Sequence, residues 1–339
     1  MTAETASAAA SRAARAACPP ASPAETPERV LVIKLGALGN MVLSLGPFAA
    51  IRRHHRQAAI TLLTTTPYAG WLAGSPYFDR LWADGRPEWW DARGWLRLRR
   101  QLLAGTFDRV YDLQTSARSS RYFQLLPRSA RPQWSGIAPG CSHPDRDPAR
   151  NRLHDIERQA GQLRQAGIAE VPNADLSWSS GDIARFALPA SFVLLVPGSS
   201  AHRLTKRWPA RHYGALAKSL ARRGLAPVVL GSAAERRLAG EIAEHAPVLD
   251  LTGRTDFGQL VSLARAAKLA VGNDTGPMHL IAAAGCPSLV LFSRASDPAL
   301  CAPRGRRVAV LHRPNLAVLA VDEVFSAAAG LLMPPAAAS

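Results

Sequence analysis

The chain has 339 residues, 47% of them hydrophobic, and its 41 Lys and Arg against 25 Asp and Glu give a net charge of +16. This length and apolar content allow two domains with packed cores and exclude a chain that is disordered throughout. The positive charge favours partners that carry phosphate, namely nucleic acid, an anionic membrane or a phosphorylated substrate, without choosing among them.

The distribution of apolar residues and cysteines excludes further classes of protein. No uninterrupted run of about 18 apolar residues occurs, so no membrane-spanning helix is predicted. The four cysteines are far apart and form no C-x-x-C pair, which argues against a zinc ribbon or a disulfide scaffold and fits a reducing cytoplasm. They are Cys18, Cys141, Cys286 and Cys301.

Residues 1–28 are rich in Ala, with scattered Arg, Pro, Ser and Thr, and lack the apolar periodicity of a packed helix. Arg12 and Arg15 interrupt any apolar core of a secretion signal. We therefore predict a disordered leader over 1–28, with a targeting segment as the alternative.

The first ordered unit is predicted to be a strand, a glycine turn and a helix. Residues 30–33 are a continuous apolar run, typical of a strand buried on both faces of a parallel sheet. The turn at 34–40 and a helix at about 41–53 follow. The turn lacks a full G-x-G-x-x-G, so dinucleotide binding is a weak inference, and Gly36 and Gly39 equally fit a tight structural turn.

Residues 59–64 and 78–82 predict two more strands, followed by a helix that ends near Gly105. Tryptophans and arginines are interleaved there: Trp89, Trp90, Arg93, Trp95, Arg97, Arg99 and Arg100. Such a helix suits a membrane surface or an anionic acceptor. An ordinary crossover helix with a solvated arginine face is the simpler interpretation, which we prefer.

The strand predicted at 109–114 delivers polar side chains to the same sheet edge as Asn40. They include Asp112, Gln114, Thr115 and Ser116. Polar residues at strand ends are typical of binding clefts, although Asp112 also fits a helix cap. Residues 127–152, rich in Pro, Arg, Gly and Ser, predict a long irregular loop or a partly mobile flap, and a helix is predicted at 155–167.

A second series of strands and helices begins at residues 192–196, after a polar, Pro-punctuated stretch that suits a linker. The small residues Gly198 and Ser199 and the cations Lys206 and Arg207 lie between this strand and the next helix, at about 210–223. Small residues and cations at such a turn suit phosphate oxygens, although these cations alone are more typical of a surface. Strands at 227–231 and 248–251 alternate with helices at 232–245, which contains Glu235, and 257–267.

The stretch 271–285 predicts a nucleotide diphosphate site. It reads as the end of a buried strand, a polar turn and a short helix that Pro277 opens and Gly285 closes. The amides of the first helical turn and the positive end of the helix dipole then face the carboxyl edge of the sheet, where α/β proteins bind diphosphates. One further strand is predicted at 288–292.

Two tandem series of this kind predict an α/β fold with two Rossmann-like domains facing each other across a cleft. We place the domains at 29–175 and 191–335, with a linker at 176–190.

Three segments together strongly resemble glycosyltransferase family 9, the heptosyltransferases that build the inner core of lipopolysaccharide from ADP-heptose. They are VLVIK at 30–34, KRWP at 206–209 and GNDTGPMHLIAAAGCP at 272–287, and the Asp-Thr-Gly-x-x-His element at 274–279 is the most specific part. The resemblance covers about residues 29–292. It implies a GT-B fold and inverting transfer, with no metal or other cofactor, at the cytoplasmic face of the inner membrane.

The resemblance also assigns roles to individual residues. Asp274, Thr275, Gly276 and His279 match the positions that bind the donor nucleotide and its diphosphate. Lys206 matches the lysine that neutralises the leaving diphosphate, and Glu235 falls near the acid that holds the ribose. Ala201 and His202 stand where family members often have hydroxyl residues, so the donor class is better defined than the donor itself.

Asn40 departs from the family pattern, which has an aspartate there as the general base. A neutral amide cannot accept the proton of the acceptor hydroxyl. Three explanations remain: Asn40 orients the acceptor while Asp112 or another carboxylate takes the proton; the acceptor is itself acidic or phosphate-assisted; or catalysis is weak or absent. We prefer the first.

The sequence therefore predicts an inverting, metal-independent glycosyltransferase that moves a sugar, with heptose expected, from a nucleotide-diphosphate donor, expected to be ADP-linked, to a lipopolysaccharide-core or related glycan acceptor. Peripheral contact with an anionic membrane at the inner face of the inner membrane is a further expectation. A non-catalytic nucleotide-sugar-binding protein is the alternative. Nucleic acid is not an expected partner, because the cations are dispersed and no RRM, KH or zinc-finger pattern occurs.

Overall fold

The computed structural model describes residues 27–199 and 203–333 of the chain. The predicted leader lies outside the described residues except for Pro27 and Glu28, and so do Cys18, Ala201 and His202.

The N-terminal half forms a parallel sheet of six strands in the order β3-β2-β1-β4-β5-β6. Its strands are β1 (Arg29–Ile33), β2 (Ala59–Thr64), β3 (Arg80–Ala83), β4 (Arg109–Asp112), β5 (Gln133–Gly136) and β6 (His143–Pro144). Its helices are α1 (Leu38–Val42), α2 (Leu45–His54), α3 (Thr66–Leu72), α4 (Ala92–Ala104), α5 (Ala117–Leu125) and α6 (Asp155–Gln165). Residues 30–33 of β1 are fully buried, as expected of a run that is apolar on both faces.

The C-terminal half repeats this plan with the order β12-β11-β10-β7-β8-β9. Its strands are β7 (Phe192–Val196), β8 (Ala226–Val229), β9 (Leu249–Asp250), β10 (Leu269–Asn273), β11 (Ser288–Phe292) and β12 (Val308–His312). Its helices are α7 (Ala210–Ala221), α8 (Arg236–Ala243), α9 (Phe257–Ala266), α10 (Gly276–Ala283), α11 (Pro298–Cys301) and α12 (Val321–Leu332). These two sheets confirm the predicted pair of Rossmann-like domains; their predicted limits remain predictions.

The two domains face each other through the helices that follow β1 and β10. A Cβ on Gly276 would lie 2.7 Å from the Cβ of Leu38, and a Cβ on Gly39 would lie 2.9 Å from Cδ2 of His279. Helices α1 and α10 therefore approach so closely that only glycine fits at these positions. Since each helix starts at the carboxyl edge of its sheet, the two edges meet across the cleft.

Aromatic side chains join the domains on one side of the cleft. The ring of Tyr68 stacks on Phe257 with centroids 5.9 Å apart, and Trp71 lies 5.4 Å from both Phe257 and Trp178. Trp178 belongs to the segment between the two sheets, which therefore packs against both halves of the molecule.

Three predictions of local structure were wrong. Residues 127–152 are not one irregular loop, because they supply β5 and β6, and the side chain of Trp134 in β5 is fully buried against Phe123. These strands are too short to show a period among Pro, Gly and Arg. The helix predicted at 41–53 is divided into α1 and α2, and the helix predicted at 232–245 starts with a separate 3-10 turn at Ala233–Glu235 before α8. Helix α11, strand β12 and helix α12 follow β11, in a part of the domain for which no elements were predicted.

Candidate active site

The turn after β10 begins the site on the C-terminal side of the cleft. Thr275 is the N-cap of α10, and Gly276, not Pro277, is its first residue, so Pro277 occupies the second helical position. The Thr275 hydroxyl is buried and has no hydrogen-bond partner among the described residues. A helix N-terminus with a buried hydroxyl that still needs a partner is suited to a phosphate oxygen.

Asp274 holds a buried cation next to this helix terminus. Lys206 donates to its Oδ2, and the Ser296 hydroxyl lies 2.5 Å from the same oxygen. Burial alone raises the pKa of Asp274, but its contacts with His279, Lys206 and Ser296 and the charge of Lys206 outweigh burial and lower the pKa to about 2. The structure therefore brings together Lys206 and Asp274, which lie 68 positions apart in the sequence.

His279 lies between this pair and the opposite domain. Its Nε2 is 3.9 Å from Oδ1 of Asp274, and its ring packs on Gly39 of α1. Its Nδ1 is buried and, within residues 27–199 and 203–333, has no hydrogen-bond partner. The imidazole is thus placed at the point where the two domains meet.

Asn273 holds together the C-terminal side of the cleft, a role that the sequence motif does not reveal. Its side-chain oxygen accepts hydrogen bonds of 3.1 Å from the Trp208 amide and the Tyr213 hydroxyl. Its amide nitrogen donates to the carbonyl oxygens of Pro197 and Gly198 at 2.8 and 3.2 Å. One fully buried side chain therefore ties the turn after β10 to the loop after β7 and to the start of α7.

Gly198, Ser199 and Glu235 form the adjacent wall. A Cβ on Gly198 would lie 1.7 Å from Oε1 of Glu235, so the carboxylate lies directly over the glycine backbone. The Ser232 amide donates to Oε2 of Glu235 at 2.7 Å, which fixes this carboxylate. Arg207 donates to the Ser199 hydroxyl at 3.0 Å. The predicted donor residues of β7, β8 and β10 thus meet at one sheet edge.

On the N-terminal side, Asn40 is exposed and belongs to α1. The backbone carbonyl oxygen of Asn40 accepts a hydrogen bond of 2.7 Å from the Ser44 hydroxyl. The same hydroxyl lies 2.8 Å from Oε1 of Gln159 in α6. Helix α6 therefore borders the loop that carries Asn40, although the sequence alone did not connect them.

Asp112 is not placed to act as the substitute base that we predicted. It is fully buried, and its Oδ1 accepts from the amides of Gln114 and Thr115 at 3.1 and 3.0 Å. Burial raises the pKa of Asp112 to about 6, against the effects of hydrogen bonds from its own turn and the charge of Lys34. These two hydrogen bonds close the turn after β4, so the Asp112 side chain stabilises the end of that strand.

Across the two described stretches, no three His, Cys, Asp or Glu side chains converge so that they could hold a metal ion.

Comparison with known proteins places this geometry in context. Residues 95–320 match the profile of glycosyltransferase family 9 (heptosyltransferase). The lipopolysaccharide core heptosyltransferase OpsX of Haemophilus influenzae is 25% identical over 293 residues, which are 79% of this chain and 80% of the relative.

Two solved structures share the fold. A family 9 glycosyl transferase from Veillonella parvula superposes with a TM-score of 0.77 at 21% identity, covering 90% of this chain and 97% of that one. The E. coli ADP-heptose lps heptosyltransferase II gives a TM-score of 0.71 at 22% identity, with 90% and 98% covered. The family match spans two thirds of the sequence, and the chain belongs to glycosyltransferase family 9, the heptosyltransferases.

Proposed function

We propose that the protein transfers a heptose from an ADP-linked donor to a lipopolysaccharide-core acceptor, with inversion at the anomeric carbon and without a metal ion. The observation that carries the proposal is the arrangement of Lys206, Asp274 and the N-terminus of α10 directly across the cleft from the Asn40 loop. The relatives support the sugar and the pathway, because they include a lipopolysaccharide core heptosyltransferase and an enzyme described as using ADP-heptose.

The donor side provides what a departing diphosphate requires. Lys206 has three N–H donors, so it can keep Asp274 and still donate to a phosphate oxygen. The amides at the start of α10 and the Thr275 hydroxyl add uncharged donors at the same edge. Donors that are fixed in a buried site stabilise charge that develops as the sugar–phosphate bond breaks.

The nucleoside is proposed to lie along the wall formed by Gly198 and Glu235. The absence of a side chain at Gly198 leaves room for the carboxylate of Glu235, which can accept hydrogen bonds from the ribose hydroxyls. The acceptor is proposed to enter between the Asn40 loop and the end of β4. The close contact of α1 with α10 then excludes water that would hydrolyse the donor.

Thermal shift with nucleotide sugars, followed by a transfer assay, tests this function. ADP-heptose is expected to raise Tm more than UDP- or GDP-sugars. In the transfer assay, ADP is expected to appear only together with a glycosylated core acceptor. NMR of that product is expected to show that the configuration at the anomeric carbon is inverted. Chelation of metal ions with EDTA is expected to leave the rate unchanged. A clear preference for another nucleotide would contradict the proposed donor.

The same assay separates the alternative function. A protein that binds ADP-heptose but neither transfers nor hydrolyses it, even with native acceptor lipid, is a nucleotide-sugar-binding protein. Asn40 favours this alternative because it lacks the carboxylate that the family uses as a base.

We also propose that the protein docks on an anionic membrane through the segment before α4 and the first turns of that helix. No helix within the described part of the chain is long and apolar enough to cross a bilayer. Trp89, Trp90 and Leu96, however, are 77%, 65% and 43% exposed. Exposed arginines surround them, namely Arg86, Arg93, Arg97 and Arg100. Exposed tryptophans ringed by cations suit the headgroup region of an anionic bilayer.

This patch lies on the same rim as the acceptor side of the cleft. It follows β3, whose carboxyl end points to the same edge as those of β1 and β4 because the strands are parallel. Arg118 of α5 donates to the Pro87 carbonyl at 3.0 Å and fixes the segment beside the end of β4. A lipid-anchored acceptor could therefore reach the cleft from a bilayer that contacts the patch.

We expect Arg93→Ala/Arg97→Ala to weaken binding to phosphatidylglycerol vesicles about thirtyfold, because each arginine near an anionic surface contributes about 1 kcal/mol. Trp89→Ala/Trp90→Ala is expected to weaken it by about tenfold or more. Vesicle co-sedimentation measures both. Val318→Ala, at a residue that is 73% exposed in the other domain, is the matched control. If all variants bound the vesicles as tightly as wild type, the proposal would be contradicted. It would also be contradicted if a parallel RNA-binding assay, and not vesicle binding, showed the loss.

A further inference from the structure

The loop that carries Asn40 has a carboxylate beside it that the sequence motif does not include. Helix α6 packs on this loop through Gln159, whose Oε1 lies 2.8 Å from the Ser44 hydroxyl. Asp155 lies one turn earlier in the same helix, and its backbone oxygen accepts a hydrogen bond of 3.3 Å from Nε2 of Gln159. Asp155 is thus the first residue of the helix that borders Asn40.

The side chain of Asp155 is buried and only partly satisfied. The residue is 5% exposed, and Arg158 donates to its Oδ1. Its Oδ2 is buried and, within the residues that the structure describes, has no hydrogen-bond partner. A buried carboxylate oxygen without a partner is costly, so its retention calls for an explanation.

The buried cation Lys34, which directly follows β1, interacts electrostatically with the same carboxylate. Lys34 is buried and donates to the Leu113 carbonyl at 2.9 Å. Burial lowers the pKa of Lys34, and the charge of Asp155 acts in the opposite direction, which places the two groups within electrostatic range.

Asp155 also lies at the boundary between the domains. Its neighbour His154 accepts at Nδ1 from the Ile156 amide at 3.2 Å, so Nε2 carries the proton and donates to the Ala302 carbonyl of the C-terminal domain at 3.0 Å. Glu157 forms an ion pair of 2.8 Å with Arg304 in that domain. Residues on both sides of Asp155 therefore contact the C-terminal domain, which places the start of α6 at the boundary between the domains.

Other carboxylates near the cleft already accept hydrogen bonds from the protein, as Glu235 does from the Ser232 amide. Oδ1 of Asp112 accepts two amides of its own turn below the cleft, and Asp274 is bound to Lys206 and Ser296. Oδ2 of Asp112 and Oδ2 of Asp155 both lack a hydrogen-bond partner among the described residues. Asp155, however, begins the helix that packs on Ser44 beside Asn40, and its neighbours His154 and Glu157 contact the C-terminal domain.

Building on the proposed function, we propose that Asp155 replaces the aspartate missing at position 40 and acts as the base for transfer. The acceptor hydroxyl oxygen forms a bond to the anomeric carbon while its proton passes to Oδ2 of Asp155. The bond from the anomeric carbon to the β-phosphate oxygen breaks, and its electron pair leaves with the nucleoside diphosphate toward Lys206. The side-chain amide of Asn40 orients the acceptor by hydrogen bonding.

Asp155→Asn tests this role because it keeps the shape of the side chain and removes its basicity. We expect kcat to fall about 10²–10⁴-fold, the usual effect of losing general-base catalysis, while the Kd of ADP measured by calorimetry stays within about twofold. Introducing Asn40→Asp into Asp155→Asn is expected to restore kcat at least tenfold, because it returns a carboxylate to position 40, where the family pattern has its base. Glu170→Gln is the matched control, since it neutralises an exposed carboxylate of the same domain shortly after α6.

Each result decides the matter. Unchanged kcat in Asp155→Asn overturns the proposal, and so does a loss of kcat that Asn40→Asp does not rescue, since that result indicates a structural role through Arg158. If wild type binds donor without transfer and Asn40→Asp alone transfers, Asp155 is not a base, but the proposed donor chemistry stands. If neither protein transfers with any donor, the proposed function is overturned together with the role of Asp155.

Discussion

Lys206→Met is expected to lower kcat about 10²–10³-fold and to reduce the free energy of unfolding by about 3 kcal/mol. The catalytic loss follows from the removal of a fixed charge beside the departing diphosphate. The loss of stability has a separate cause: Asp274, whose side chain is 7% exposed, is left as a buried charge without its cation. Transfer kinetics and urea unfolding measure the two effects independently.

A second substitution separates the two causes. Lys206→Met/Asp274→Asn removes both charges, so it is expected to recover most of the stability while kcat remains low. Lys218→Met, at an exposed lysine of α7, is the matched control and is expected to change neither quantity. If the double variant regained activity, Lys206 would serve only to neutralise Asp274, and its role in leaving-group stabilisation would be wrong.

The pH dependence of stability provides an independent measure of this ion pair. The folded-state pKa of Asp274 is lowered from 3.8 to about 2, so the carboxylate stabilises the fold above about pH 4 and loses this contribution as pH falls from about 4 to about 2. The difference corresponds to about 2 kcal/mol. Urea unfolding of wild type is therefore expected to lose this amount over that range, whereas Asp274→Asn is expected to lose less.

The turn after β10 could be singled out from the sequence because its residues are contiguous, whereas Lys206 joins them only in the fold. Asp274 to His279 form one motif at a strand end, and the glycine-rich turn and helix start can be identified locally. The buried apolar runs of β1, β7 and β11 were equally clear, since each is a central strand of its sheet. Local sequence therefore sufficed wherever a strand and the turn that follows it carry the function.

The acceptor half was not predictable in the same way. Asp112 was selected because it lies at a strand end, but the carboxylate accepts the amides of its own turn. Asp155 lies on a helix that is brought beside the cleft by tertiary packing, including that of Gln159 against Ser44, residues that are 115 positions apart. A carboxylate in a helix resembles any surface residue until that packing is known.

Asn273→Ala is expected to destabilise the protein by about 4 kcal/mol, because four hydrogen bonds of about 1 kcal/mol each are lost. The change also leaves the Trp208 amide and the carbonyl oxygens of Pro197 and Gly198 without these partners in a buried site, while the Tyr213 hydroxyl keeps only the Val196 carbonyl at 3.4 Å. This loss is large compared with a total stability of about 5–15 kcal/mol. Urea unfolding, with and without ADP, measures it.

Asn273→Asp identifies which part of the network matters. It keeps an acceptor for Trp208 and Tyr213 but turns an oxygen toward the carbonyls of Pro197 and Gly198, so it is expected to destabilise the loop after β7 and to weaken ADP binding. Asn315→Ala is the matched control, because Asn315 is exposed and makes a single cap bond of 2.9 Å to the Ala317 amide. Its expected cost is about 1 kcal/mol, with ADP affinity unchanged. Equal losses at both positions would show that Asn273 does not hold the donor wall in place, and the proposed binding of the nucleoside along Gly198 would then lose its structural basis.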